Sequence, residues 1–202
     1  PHVYITKDHR ELLAMGLDAV VVATPPATHF PLAKEALEGG MHVLVEKPMT
    51  TRTHEAEELC ELAEKKDRVL MVGHTFEFNP AVHALKKMID NGEIGDLYYI
   101  DTARLNLGLY NRELNVVWDL APHDISIVLH LLGTKPEKIE VYGMDCAIKG
   151  VHDVAFMNLV FPKGILVHIH VSWLDPCKVR RVTVVGSKKM VVYNDIESLE
   201  KI

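Results

Sequence analysis

The stretch from Ala19 to Pro48, AVVVATPPATHFPLAKEALEGGMHVLVEKP, decides the fold. It opens with a β-branched run, Ala19-Val20-Val21-Val22-Ala23, and turns through Thr24-Pro25-Pro26 into a helical pattern over 29–38. Gly39-Gly40 closes that helix, and a second apolar run follows, His42-Val43-Leu44-Val45. Two short apolar strands joined through a helix read as a βαβ unit with parallel strands, because a hairpin needs only a few connecting residues. Working outward, Val3-Tyr4-Ile5 and a helix near 7–15 precede the unit, and a helix near 53–66 and the run Val69-Leu70-Met71-Val72 follow it. The order βαβαβαβ predicts a parallel sheet covered by helices. Thr6 is expected to cap the first helix, and Thr53 the third, ahead of Glu55, Glu57 and Glu58, whose charges suit a helix N-terminus.

Past the loop Gly73-His74-Thr75-Phe76-Glu77-Phe78-Asn79 the pattern changes. Pro80 suits a first helical turn, and a helix runs from it to Asn91-Gly92. A long strand, Leu97 to Arg104, precedes a helix from Trp118 to Leu132 that Gly133 ends. Strands near 137–146, 153–161, 165–174, 179–185 and 190–194 complete the chain. The fold class is therefore α/β: a partial Rossmann-type parallel sheet over 1–75, then over 76–202 an α+β domain with a large, mainly antiparallel open sheet. A doubly wound nucleotide-binding domain normally carries a Gly-rich strand-turn-helix for pyrophosphate, whereas Gly39-Gly40 and Gly92-Glu93-Ile94-Gly95 sit at helix ends. Since Ser198-Leu199-Glu200-Lys201-Ile202 also reads as the middle of a strand, the chain is expected to be truncated at both ends.

Composition narrows the function classes. Of 202 residues, 48% are hydrophobic and 25% charged, as in an ordinary globular protein. A formal charge of −6, with no run of basic residues longer than two, gives no electrostatic footprint for nucleic acid or an anionic membrane, so a small molecule is the default partner. Cys60, Cys146 and Cys177 are widely spaced without a C-x-x-C, which suggests neither a disulfide framework nor a metal centre and fits a cytoplasmic location. No eighteen apolar residues run together, and the first residues do not read as a signal peptide.

The chemistry-bearing residues gather at strand ends and at one helix start. In open α/β sheets ligands bind beyond the carboxyl ends of the strands, where Thr24 and Glu46 fall. Pro25 and Pro26 fix two successive φ angles, which makes either a stiff wall for a flat ring or a rigid connection. His29 falls in a first helical turn, where it serves structure or touches a cofactor. His74 follows the next strand, so the cofactor-side set is Thr24, Pro25, Pro26, His29, Glu46, Lys47 and His74. Lys47, held by the proline after it, either pairs with Glu46 or serves the reaction, as a base if its pKa is lowered or as a charged hydrogen-bond donor. Asp119 and His123 are four apart and share a helix face, provided that Pro122 lies in the first turn. Asp119 there is a cap or a catalytic carboxylate, and His123 can accept a proton at working pH. Arg104, Asn106 and Trp118 are substrate-contact candidates. His168 and His170 share a strand face and read as ordinary sheet residues rather than metal ligands. Lys178, Arg180 and Arg181 read as a solvated strand face, with a phosphate or a neighbouring subunit as the alternative.

Taken in order, Ala23-Thr24-Pro25-Pro26-Ala27-Thr28-His29, Val45-Glu46-Lys47-Pro48-Met49, Asn79-Pro80-Ala81, and Asp119 with His123 resemble the Gfo/Idh/MocA family of NAD(P)-dependent sugar oxidoreductases across essentially the whole chain. The resemblance implies hydride transfer between a sugar hydroxyl and NAD or NADP, with Lys47, His123 and Asp119 as the catalytic set and the base left open between Lys47 and His123. It also implies a homo-oligomer formed through the C-terminal sheet. Where the family often has an acidic residue three positions after the His, this chain has Ser126, with Asp124 next to the His instead. The run Trp118 to Asp124, and Ser172-Trp173-Leu174-Asp175-Pro176 followed by Val184-Val185-Gly186-Ser187, resemble the branch that oxidises nucleotide-linked amino sugars at C3. A free cyclitol or monosaccharide dehydrogenase is the alternative, and so is a non-catalytic truncated product whose sheet serves association. The fragment alone is expected to be inactive.

Overall fold

The computed structural model describes residues 3–108 and 114–202. The chain divides into two compact units, Pro1–Gly73 and His74–Ile202.

The first unit contains helix α1 (His9–Leu13), strand β1 (Ala19–Val22), α2 (His29–Glu38), β2 (His42–Val45), α3 (Thr53–Lys66) and β3 (Leu70–Val72). Its sheet is parallel throughout, in the order β1-β2-β3, with Val22 level with Val45 and Val45 level with Val72. All three strands therefore end on the same side. Val22, Val43 and Val45 pack with Ala33, Ala36 and Leu37 of α2 and with Leu59 and Ala63 of α3. Full burial of one such aliphatic side chain is worth about 1.5–3 kcal/mol, so this small core holds both helices to the strands. Gly39 caps α2, and Gly40 follows at φ +81°, a left-handed conformation that glycine takes without a Cβ clash.

Three local expectations are corrected here. Val3-Tyr4-Ile5 is no strand, because nothing among the described residues extends a ladder to it, and Val3 and Ile5 stay 81% and 86% exposed. Asp8, not Thr6, caps α1: its carboxylate accepts from the Arg10 N–H, while the Thr6 hydroxyl accepts from the Asp8 N–H. Thr53 is the first helical residue of α3, whose cap position is Arg52.

The second unit contains α4 (Pro80–Asp90), β4 (Leu97–Leu107), α5 (Val116–Leu132), β5 (Lys138–Met144), β6 (Val154–Val160), β7 (Leu166–Ser172), β8 (Leu174–Gly186) and β9 (Met190–Asn194). Its six strands run in the order β5-β6-β7-β4-β8-β9. Every neighbouring pair is antiparallel except β4 and β7, which are parallel. Ile100, Val167, Ile169 and Val184 pack with Ile127, Val128 and Leu131 of α5 and with Val82 and Leu85 of α4.

Two breaks differ from the sequence reading. The connection between β7 and β8 is Trp173 alone, and β8 then runs unbroken through Asp175-Pro176, so these two strands flank β4 on both sides. Helix α5 begins at Val116 rather than near Asp119, because the Asn115 carboxamide oxygen accepts from the N–H groups of Val117 and Trp118. Pro122 consequently lies inside the helix, where it lacks the N–H that would reach the Trp118 carbonyl.

Candidate active site

In the first unit the candidate residues stand at the carboxyl ends of the parallel strands, and their backbone holds them. The Glu46 N–H donates to the Val22 carbonyl and the Gly73 N–H to the Val45 carbonyl, so the ladder continues one residue past β2 and β3. The Glu46 carboxylate accepts from the Lys47 N–H at 3.2 Å. It also occupies the space beside Gly73, where a Cβ would lie 2.9 Å from Glu46 Oε2, so a larger residue there pushes the end of the Glu46 side chain aside. The Lys47–Pro48 peptide is cis.

His29 is fully buried, with Nδ1 2.8 Å from the Pro48 carbonyl oxygen and Nε2 2.8 Å from that of Thr24. Its imidazole ties the loop after β1 to the loop after β2. That corrects its place among cofactor contacts, because no ring edge is left facing outward. Thr24 and Pro25 are exposed and Pro26 half-buried. The Thr28 hydroxyl bridges Thr24 Oγ1 and the Pro25 carbonyl, both at 2.7 Å, which stiffens this turn.

In the second unit the site is built from side chains. Asp119 and His123 lie one turn apart on α5. The indole N–H of Trp173, a residue 1% exposed, donates to Asp119 Oδ2 at 3.0 Å. Asp119 thus faces an indole, and Asn115 does the capping. The Ser126 hydroxyl donates to the His123 carbonyl at 2.9 Å. The His123 ring meets Phe76 edge to face, with centroids 5.1 Å apart. Trp118 stands 38% exposed on the first turn of α5.

Arg104 corrects a second expectation. It is 5% exposed and gives its guanidinium to the buried Asp124, with Nε 2.7 Å from Oδ2 and Nη2 3.3 Å from Oδ1, so it is not free to hold a substrate. Burial pushes the Asp124 carboxyl up, and the facing Arg104 charge opposes that shift. Asn106, two residues on, is half-buried. Its Oδ1 and the Nδ1 of His74 are buried polar atoms without a hydrogen-bond partner among the described residues. A Cβ on Gly108 would sit 3.3 Å from both Asn106 Oδ1 and the Trp173 ring, which places Asn106 beside the indole that reaches Asp119.

Sequence reading missed Trp173, Phe76 and Asp124 as members of this site. Each joins it through partners 20 to 54 positions away or across a loop, and no local pattern reports that. On the opposite sheet face, His168 Nδ1 lies 2.8 Å from Asn158 Oδ1, and His170 stacks on Phe156. Arg180 pairs with Asp195 at 3.5 Å.

The residues of the first unit fit the ring end of a dinucleotide. Thr24 offers a hydroxyl, Pro25 a flat apolar face, and Glu46 and Lys47 a carboxylate and an ammonium, all at one sheet end. Such crevices hold ligands in open α/β sheets.

Residues 1–74 match the family model described as "Oxidoreductase family, NAD-binding Rossmann fold". Residues 82–192 match the GFO/IDH/MocA C-terminal domain. A UDP-N-acetylglucosamine 3-dehydrogenase of Acidithiobacillus ferrooxidans is 30% identical over 163 residues, which is 80% of this chain and 50% of the relative. An inositol 2-dehydrogenase of Corynebacterium glutamicum is 26% identical over 173 residues, 83% of this chain and 51% of the relative. Among solved structures, GenD2 from gentamicin A biosynthesis, in complex with NAD, superposes with a TM-score of 0.88 at 26% identity, covering 95% of this chain and 58% of that one. The chain spans about half the length of the curated relatives it matches. No described helix is long and apolar enough to cross a membrane.

Proposed function

This chain belongs to the Gfo/Idh/MocA family of oxidoreductases, and on that premise we propose that it forms part of an enzyme moving hydride between a sugar or nucleotide-sugar hydroxyl carbon and NAD. The observation that carries the reading is the Asp119–His123 face of α5, with Asp119 bonded to the Trp173 indole and Asn106 Oδ1, a buried atom without a partner among the described residues, beside that indole. Leaving a buried polar atom without a partner costs about 1–3 kcal/mol, and a substrate rich in hydroxyls offers such an atom a donor.

A bound nicotinamide supplies the hydride acceptor. The chain's own residues do the rest. Thr24, Pro25, Pro26, Glu46 and Lys47 seat the ring end of the cofactor, and His74, in the second unit, is a further cofactor-side candidate. Lys47 or His123 takes the hydroxyl proton, and Asp119 stabilises the charge that His123 gains as it does so. Asn106 and Trp118 contact the substrate. The substrate class is a nucleotide-linked amino sugar oxidised at C3, supported by the likeness to the UDP-N-acetylglucosamine 3-dehydrogenase. The likeness to inositol 2-dehydrogenase favours a free cyclitol as the second reading.

Two coarser features complete the proposal. Tyr99, Tyr142, Phe156, Leu166 and Val192 are exposed on the sheet of the second unit, and we assign that surface to homo-oligomer formation, to be checked by light scattering. Three free, exposed cysteines suit a reducing cytoplasm.

The test is an NADH absorbance assay on the complete natural polypeptide that carries this chain, with UDP-N-acetylhexosamines, UDP-hexuronates and myo-inositol. Turnover is expected with one of these. Lys47→Ala and His123→Ala should each lower it by a factor of about 10² or more. Silence with every substrate removes the dehydrogenase reading, and unchanged turnover in a variant returns that residue to structure.

A further inference from the structure

The buried Arg104–Asp124 pair ends at His123. Arg104 side-chain exposure is 7% and that of Asp124 is 1%, so water screens neither charge. The fork of the guanidinium bonds the carboxylate, and the same group lies over the Phe76 ring, with Cζ 4.7 Å from the centroid. The Phe76 ring in turn meets the His123 ring at 5.1 Å and 70°. Because Asp124 follows His123 in α5, the four residues close a ring of contacts: Arg104 to Asp124, along the helix to His123, across to Phe76, and back to Arg104.

Only arginine closes that ring. Its planar guanidinium presents edge donors to a carboxylate and a flat face to an aromatic ring at once, and an ammonium can do only the first. A pair kept for stability alone has no need of this, since apolar residues of similar volume are often neutral or better in its place. The histidine χ2 torsion is broad, so an imidazole needs a wall to hold one orientation, and Phe76 is such a wall.

We infer that Arg104, Phe76 and Asp124 are positioning residues that fix the His123 imidazole in one orientation. The inference rests on the reading that His123 handles the hydroxyl proton. A proton acceptor misplaced by about 1 Å loses on the order of 10² in rate, whereas ground-state binding of substrate, made by other groups, is left intact.

The experiment uses the complete polypeptide with histidine carrying ¹³C, and the His123 Cε1–Hε1 resonance is assigned by its loss in His123→Gln. Arg104→Lys keeps the charge opposite Asp124 and keeps the Phe76 residue but takes the flat guanidinium off the Phe76 ring, so a shift of the His123 resonance reports a wall and an imidazole that have moved. The expected result is a shifted and broadened His123 resonance in Arg104→Lys. Phe76→Leu should broaden it, and Phe76→Tyr, which keeps the flat ring, should leave it sharp. In turnover, Arg104→Lys and Phe76→Leu should lower kcat about tenfold or more with KM unchanged, and Phe76→Tyr should restore kcat. An unmoved His123 resonance in folded Arg104→Lys overturns the inference. So does a Phe76→Tyr variant as impaired as Phe76→Leu, or an effect confined to KM. If Arg104→Lys does not fold, the two Phe76 variants decide. If the unaltered protein oxidises no sugar, the dehydrogenase reading fails and the resonance still judges the positioning.

Discussion

The two units hold their candidate residues by different means. In the first, Glu46 and Lys47 stand where they do because backbone groups continue a ladder and because one buried imidazole faces two carbonyl oxygens. In the second, Asp119 and His123 depend on side chains meeting side chains: Trp173 on Asp119, Phe76 on His123, and Arg104 on Asp124. The difference teaches where each half is vulnerable. A site made of backbone tolerates exchange of the side chains it displays and fails when its pin is removed. A site made of side chains fails at each of them, in proportion to the charge left behind.

Asp124→Ala gives the largest effect, because it leaves the Arg104 charge buried and unpaired. Breaking a buried pair costs on the order of 3–5 kcal/mol, so chemical denaturation should show a loss of that size and hydrogen exchange should quicken in β4 and α5. His29→Ala comes next. It leaves the Thr24 and Pro48 carbonyls without the imidazole, and at about 1–3 kcal/mol for a buried group left unmet the loss should be roughly 3 kcal/mol. Exchange should quicken over residues 19–48. A wild-type stability for either variant would end the contrast between the two units.

The same contrast explains what could be read in advance. Val20-Val21-Val22 and Val43-Leu44-Val45 are strands by local pattern, and Gly39-Gly40 stops a helix by local stereochemistry, so β1, α2 and β2 are legible. Val3-Tyr4-Ile5 has the same local pattern and forms no strand, since a ladder also needs a neighbour. In the second unit, the parallel pairing of β7 with β4 and the long run of β8 are choices of partner that no window of sequence displays. Pro122 also misleads: it suggests a helix starting near Asp119, yet Asn115 caps α5 from outside and the helix absorbs the proline. Lys47, Asp119 and His123 are legible as residue types in order. That Arg104 is spent on Asp124 is a tertiary fact.

Trp173→Phe sharpens the comparison at intermediate size. It keeps a large ring in a site 1% exposed and removes the indole N–H that donates to Asp119 Oδ2. A hydrogen bond to a charged group contributes about 1.5–3 kcal/mol, so a loss near 2 kcal/mol is expected by denaturation. Glu46→Gln is the counterpart in the first unit, and it keeps the shape beside Gly73 and an oxygen for the Lys47 N–H. If that variant loses as much stability as Trp173→Phe, the backbone is not what holds Lys47.

The smallest effect belongs to Asp195, and its sign is fixed by the groups around it. Burial alone would raise its carboxyl pKa, but hydrogen bonds from Tyr193 at 2.9 Å and Lys201 at 3.3 Å, with the charges of Lys201 and Arg180, outweigh burial and hold it below the ordinary value. A carboxylate whose pKa is depressed in the folded state adds stability above its unfolded pKa, about 3.9, and loses it as pH falls through the folded value. The Tyr193 hydroxyl that donates to Asp195 also accepts from the Asn79 amide, and Asn79 caps α4, so the carboxylate reaches that helix start through one phenol. Asp195→Asn should therefore lower stability at neutral pH by less than about 1 kcal/mol, since part of the network is exposed, and should flatten the acid limb below pH 4. Acid titration of unfolding by circular dichroism reads this directly. An acid limb as steep in the variant as in the unaltered protein would mean that other carboxylates govern it, and that the edge of the second sheet is held by packing rather than by charge.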